Sequence, residues 1–246
     1  MIFTPDANIA MFFGINTGFF ILGILFYIIG LAGPLLSVRS LLYLFTVTSF
    51  WGTVFFGYLL NGCATNSCQL KYHIVTMIIG NGGVGYFAIL IMNTVLILER
   101  KWIYILCFIA LPAILAIEAW YICHVIELAG IKTRVNLHTL NLVCMILTSV
   151  NDSIANLICL WRFSKYKHIA GLKNVLKQYV SGVIFSLLAD VALVIVHIVL
   201  DLHALIAAQF VVISLFINLN IEYFLLYQLR IIILGEIQFC NSAVFD

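Results

Sequence analysis

The chain has 246 residues, of which 64% are hydrophobic and 9% charged, with a formal net charge of +2 and a mean hydropathy of +1.17. A soluble domain carries about 25% charged residues, so a water-solvated fold is excluded, and no basic patch marks a nucleic-acid partner. The apolar residues form long runs rather than alternating at a period of two, which excludes an outer-membrane barrel and leaves helical spans.

Seven spans of about 20–25 residues fill the length, so residues 1–246 read as one all-α, polytopic membrane domain with the lipid bilayer as its solvent. The spans are expected near 9–33, 41–60, 74–98, 102–124, 138–161, 177–200 and 204–229. The opening MIFTPDANIAMFF has neither the positive n-region nor the cleavage site of a secretory signal, so its apolar run is expected to remain as span one. Within that span Gly14 and Gly18 form a small-xxx-small pattern, expected to pack against another helix of the same chain.

Span two ends at Asn61, and the loop after it carries Cys63 and Cys68. Span three contains GNGGVG at 80–85, without the strand or Lys-Ser/Thr of a phosphate loop. The glycines are expected to allow close packing, and Asn81 to bond across the bundle. Pro112 is expected to kink span four. Trp102, Trp120 and Trp161 fall at proposed interfaces, as aromatic-belt residues do. After Arg230 the tail is expected to form a short helix on the inner leaflet, with Cys240 as a palmitoylation candidate.

Basic residues orient the bundle. Arg39, Arg100, Lys101, Arg162, Lys165, Lys167, Lys173, Lys177 and Arg230 lie on one side, and Lys71, Lys132 and Arg134 on the other. The majority side is expected to be cytoplasmic, which puts the N-terminus outside and the C-terminus inside. Three cysteines, Cys63, Cys68 and Cys123, then fall outside, where oxidation is permitted. A Cys68–Cys123 bridge would tie span three to span four, and a local Cys63–Cys68 loop competes with it.

The most informative stretch runs over 140–167, an apolar span with Asn151, Asp152, Ser153 and Asn156 in its middle and a basic flank after it. Asn141, Thr148, Asp152 and Asn156 share one helical face at steps of seven, four and four. Span six repeats the pattern with Gly182, Ser186, Asp190 and His197, and span seven with Ser214, Asn218 and Glu222. No Lys or Arg lies inside any span to neutralise these acids. A carboxylate at that depth takes up a proton, holds a cation or lines a wet cavity, unless a satisfied polar network absorbs it. Asp152, Asp190, Glu222, Asn151, Asn156, Ser186, Asn218 and His197 are therefore the candidate ligand- or ion-binding residues. His73, His124, His138 and His203 lie at outer span ends, where an interfacial role competes with pH sensing or metal binding. No metal site is assigned, and no nucleophile–base pair supports an enzyme.

Seven spans, an outside N-terminus, the Glu99–Arg100 pair ending span three and a basic third inner loop together resemble G-protein-coupled receptors. The resemblance implies a plasma-membrane receptor that binds a small ligand among spans five to seven and engages a cytosolic G protein. It also implies a coupling role for Glu99, Arg100, Arg162, Lys165 and Lys167. Several family motifs are missing: Lys101 follows the pair instead of Tyr, span two has no acid, span six lacks Cys-Trp-x-Pro, and span seven has no proline. A retinal cofactor is excluded because span seven has no lysine for the Schiff base. The rival expectation is a transporter or channel that moves protons or small cations along the acidic stripes, although no internal repeat of the transporter kind is found.

Overall fold

The computed structural model describes residues 5–30, 36–95, 100–166, 169, 171–200 and 212–242, with no strand among them. Seven helices are long and apolar enough to cross a membrane. They are α1 (Pro5–Ile28), α2 (Val38–Asn61), α3 (Asn66–Val95), α4 (Arg100–Leu128), α5 (Leu137–Phe163), α6 (Leu172–Leu200) and α7, described from Val212 to Ser242. A π-helical segment, Asn218–Tyr223, interrupts α7.

The chain therefore forms a seven-helix membrane bundle, as the hydropathy runs predict. Several helices outrun the expected spans: α3 starts at Asn66 and α6 at Leu172. Hydropathy marks the lipid-soluble length, whereas a helix can continue into the polar interface with its backbone already satisfied. Helix α4 continues through Pro112. The helix expected separately after Arg230 is instead continuous with α7.

Local chemistry sets the helix ends. The Ser37 side chain accepts from the Ser40 amide at the start of α2, and Asn136 Oδ1 accepts from the amides of His138 and Thr139 at the start of α5. Gly130, at φ +87°, closes α4. Its amide donates to Glu127 O and the next amide, Ile131, to Ile126 O, a left-handed turn that glycine adopts without a Cβ penalty.

Helix α7 is the centre of the bundle: 65% of its span is buried, against 44% for α2 and 11% for α4. Asn218 and Asn220 are both buried, and they reach different neighbours. Around α7, Tyr43, Phe50, Phe216, Leu219 and Tyr223 knit α2 to α7, while Phe163, Tyr179, Leu229 and Ile233 knit α5 and α6 to its other end. Lipid already solvates apolar side chains, so close packing and interhelical hydrogen bonds select the arrangement. The residues left outside, such as Phe108, Leu188, Ile78 and Leu157, form an apolar rind suited to acyl chains.

The small residues divide. A Cβ on Gly83 would meet Phe50 Cδ1 and Ser49 Cβ at 2.9 Å, so the absent side chain sets how closely α3 approaches α2. Gly14 and Gly18 behave otherwise: a Cβ on either meets nothing within 4 Å. The expected intramolecular packing of that pattern is therefore corrected; α1 turns its buried Phe12 and Asn16 inward instead.

Candidate functional site

Two polar regions lie inside the bundle. The first is a seam between α5, α6 and α7, where the spacing of the acids predicts one. Asn156 is its hub: its Nδ2 donates to Asp152 Oδ2 at 3.1 Å, and its Oδ1 accepts from Tyr179 OH at 2.6 Å. Ser214 donates to Asp190 Oδ1, and Ser149 is a second donor to the same carboxyl. Ser186 donates to Asn218 Oδ1. Asp152 and Asp190 are close enough to interact electrostatically, and among the described residues neither has a basic partner.

The seam contains five of the eight candidate positions, Asp152, Asp190, Asn156, Ser186 and Asn218. Asn218 bonds Ser186 rather than an acid. Asn151 belongs to the same turn as Asp152, but its Oδ1 has no hydrogen-bond partner. The side chains of Glu222 and His197 lie outside the described residues. A separate bond, Tyr43 OH to Asn220 Oδ1 at 2.8 Å, links α2 to the opposite side of α7.

The second region is assembled from five helices and has no counterpart in the pattern of any single span. A cavity of about 140 Å3 lies between α2, α3, α4, α5 and α7, in the half of the bundle away from the basic residues. One helical face of each neighbour contributes: His73 and Gly80 from α3, Trp120 and His124 from α4, Asn141 and Thr148 from α5. The ring centroids of His73 and His124 are 4.4 Å apart, and His124 stacks on Trp120 at 5.5 Å. Asn81, which also lines the cavity, donates from its Nδ2 to Glu118 Oε1 at 2.7 Å, which is the cross-bundle bond expected of Asn81.

Trp120 is thus corrected from an interface residue to a buried wall of the cavity, 7% exposed, whereas Trp161 is exposed as expected. His73 is likewise buried, 3% exposed, rather than interfacial. The interface rule fixes depth along a helix and leaves open which way round the helix a ring points. Among the described residues no group of three His, Cys, Asp or Glu is arranged to hold a metal ion.

At the tip of the same half, a disulfide joins Cys63 to Cys68, and Cys123 carries a free thiol. This corrects the Cys68–Cys123 pairing. The short turn between α2 and α3 brings the two Cα atoms to 5.6 Å, within bridging reach, and Gln69 Nε2 holds it by donating to Cys63 O.

At the basic end, Arg162 is buried, with its guanidinium 5.6 Å from the Trp161 ring. It is therefore not displayed for a partner in this conformation. Lys165 is exposed and lies over the same ring at 4.7 Å. Glu99, Lys167 and the Arg100 side chain lie outside the described residues. Compared with protein-family models, with curated proteins and with solved structures, the chain matches none.

Proposed function

We propose that the chain is a receptor-like seven-helix protein of the plasma membrane, N-terminus outside and C-terminus inside, that passes a ligand-driven change to a cytosolic G protein. The observation that carries this reading is the placement of two polar regions on α5. Thr148 lines the cavity, and Asp152, one turn further on, belongs to the seam that ties α5 to α6 and α7. Those helices run on to the basic end, so a change in cavity packing acts directly on the contacts that set their relative positions. The proposed orientation draws support from two independent features: the basic residues gather at one end, and the Cys63–Cys68 disulfide, which needs an oxidising compartment, lies at the other.

The test is reconstitution with heterotrimeric G protein in lipid nanodiscs. Guanine-nucleotide exchange should exceed the protein-free rate. Replacing Arg100 by Ala, together with Arg162, Lys165, Lys167, Lys173 and Lys177 by Gln, should abolish the excess. Exchange equal to the protein-free rate, or unchanged by the substitutions, sinks the reading.

A second reading rests on Asp152 and Asp190, two neighbouring acids without a basic partner among the described residues. Such a pair suits carriage of protons or small cations. Liposomes containing the protein should then show pH- or cation-driven flux, reduced at least tenfold by Asp152→Asn or Asp190→Asn. Flux indifferent to both substitutions excludes it.

A further inference from the structure

We infer that Arg39, at the start of α2, and Arg230, on α7, together hold a phosphate group at the basic end of the bundle. Placement is the first ground. By hydropathy the apolar part of span two begins at 41 and that of span seven ends at 229, so both arginines stand just outside the hydrocarbon at the same end. The two side chains also meet. The Arg39 guanidinium carbon lies over the Tyr227 ring, 5.3 Å from its centre, and Tyr227 and Arg230, three residues apart, share a face of α7. Arg230 interacts electrostatically with Arg39, Tyr223 and Tyr227.

Charge is the second. Two guanidinium groups brought side by side repel each other, and an anion seated between them turns that repulsion into attraction. Among the described residues Arg39 has neither an ion pair nor a hydrogen bond; its contact is with the Tyr227 ring. The ring occupies one face of the guanidinium and leaves the N–H edge for an acceptor. Of the guanidinium nitrogens of Arg39 only Nε is buried without a partner, so the terminal Nη pair is the part a ligand reaches. Both arginines are half-buried, neither sealed in the core nor free in solvent.

The start of α2 is the third. It brings the positive end of a 24-residue helix to the same place, with no acid in its first turn. Arginine forks match the oxygens of phosphate bidentately, and phosphate is the anion that lipids carry at this depth. A lipid headgroup and free inorganic phosphate share that chemistry, and separate probes distinguish them.

Phosphate binding here needs no signalling partner and no assigned side of the membrane, so it stands or falls apart from the proposal above. The full chain in dodecyl maltoside is titrated with dioctanoyl phosphatidylinositol monophosphate and with dioctanoyl phosphatidylcholine, and bound lipid is counted by native mass spectrometry. Radiolabelled inorganic phosphate is followed by equilibrium dialysis. Saturable binding of the inositol lipid assigns the source to a headgroup, and saturable binding of inorganic phosphate alone assigns it to the free ion. Arg39→Gln and Arg230→Gln should each weaken the bound species at least fivefold. Lys101→Gln, an exposed basic residue at the same end on α4, should change it less than twofold. Arg39→Lys keeps the charge and loses the fork, so its affinity should fall between wild type and Arg39→Gln. Thermal melting checks each variant, and if Arg39→Gln does not fold, Arg230→Gln and Arg39→Lys decide. Absence of saturable binding of both the inositol lipid and inorganic phosphate overturns the inference. So does equal affinity for the two lipids, unchanged affinity in a folded Arg39→Gln or Arg230→Gln, or equal weakening by Lys101→Gln.

Discussion

Asn141 and Asp152 lie about 16 Å apart along α5, and their surroundings differ in how polar atoms are partnered. Around Asp152 and Asp190, donors meet acceptors across three helices: Asn156, Tyr179, Ser186, Ser214 and Asn218 all bond to one another or to an acid. Around Asn141, the buried atoms His73 Nε2, Trp120 Nε1 and Asn141 Nδ2 have no hydrogen-bond partner, although the residues that carry them line one cavity. A closed network holds helices in place, and its members resist replacement. Unpartnered polar atoms hold nothing together, and each costs about 1–3 kcal/mol when buried. Acids attract attention in a membrane sequence, yet here the acids lie in the structural region and neutral side chains line the open one.

Stability measurements can break that comparison, since polar-to-apolar changes should differ in sign between the regions. The largest effect is expected for Asn156→Ala, which strips Asp152 and Tyr179 of a partner at once. Unfolding in detergent should show a loss of about 2–4 kcal/mol. Ser186→Ala removes one α6–α7 bond and leaves Asn218 Oδ1 without its donor, for a loss of about 0.5–1.5 kcal/mol. His73→Phe should be the smallest and opposite. Replacing an unsatisfied imidazole by a ring of similar shape should change stability by less than about 1 kcal/mol, in the stabilising direction. A loss above that figure for His73→Phe, or none for Asn156→Ala, would erase the distinction.

The seam was legible in the sequence because helical spacing maps directly onto a face. Asp152 and Asn156 differ by four residues, as do Ser186 and Asp190, and the faces they define do meet. The cavity was not, because it is a property of five helices together. Ile117, Trp120, Tyr121 and His124 fall at helical spacing on α4, as do His73, Thr76 and Gly80 on α3. The same test that found the acids would have flagged these faces. Histidine and tryptophan at span ends suit the interface equally well, so spacing alone does not assign them to a cavity. The disulfide was undetermined for another reason: turn geometry, rather than composition, decides which of two partners Cys68 can reach. Likewise Gly14–Gly18 and Gly83 follow the same rule on paper, and only tertiary placement shows that one abuts a neighbouring helix and the other does not.

The π-helical turn at Asn218–Tyr223 has a consequence for the register of α7. A π turn accommodates one residue more than an α turn, so the halves on either side of it are phased separately. Before it, Ile213 and Ile217 face α1 and α5; after it, Leu226, Leu229 and Ile233 face the α5–α6 cluster. Deleting one residue from the turn would merge the halves into a single α-helical phase. It would swing Leu226, Leu229 and Ile233 about 100° around the axis, away from Phe163 and Tyr179. The extra residue lets one helix serve two differently oriented walls of the same bundle.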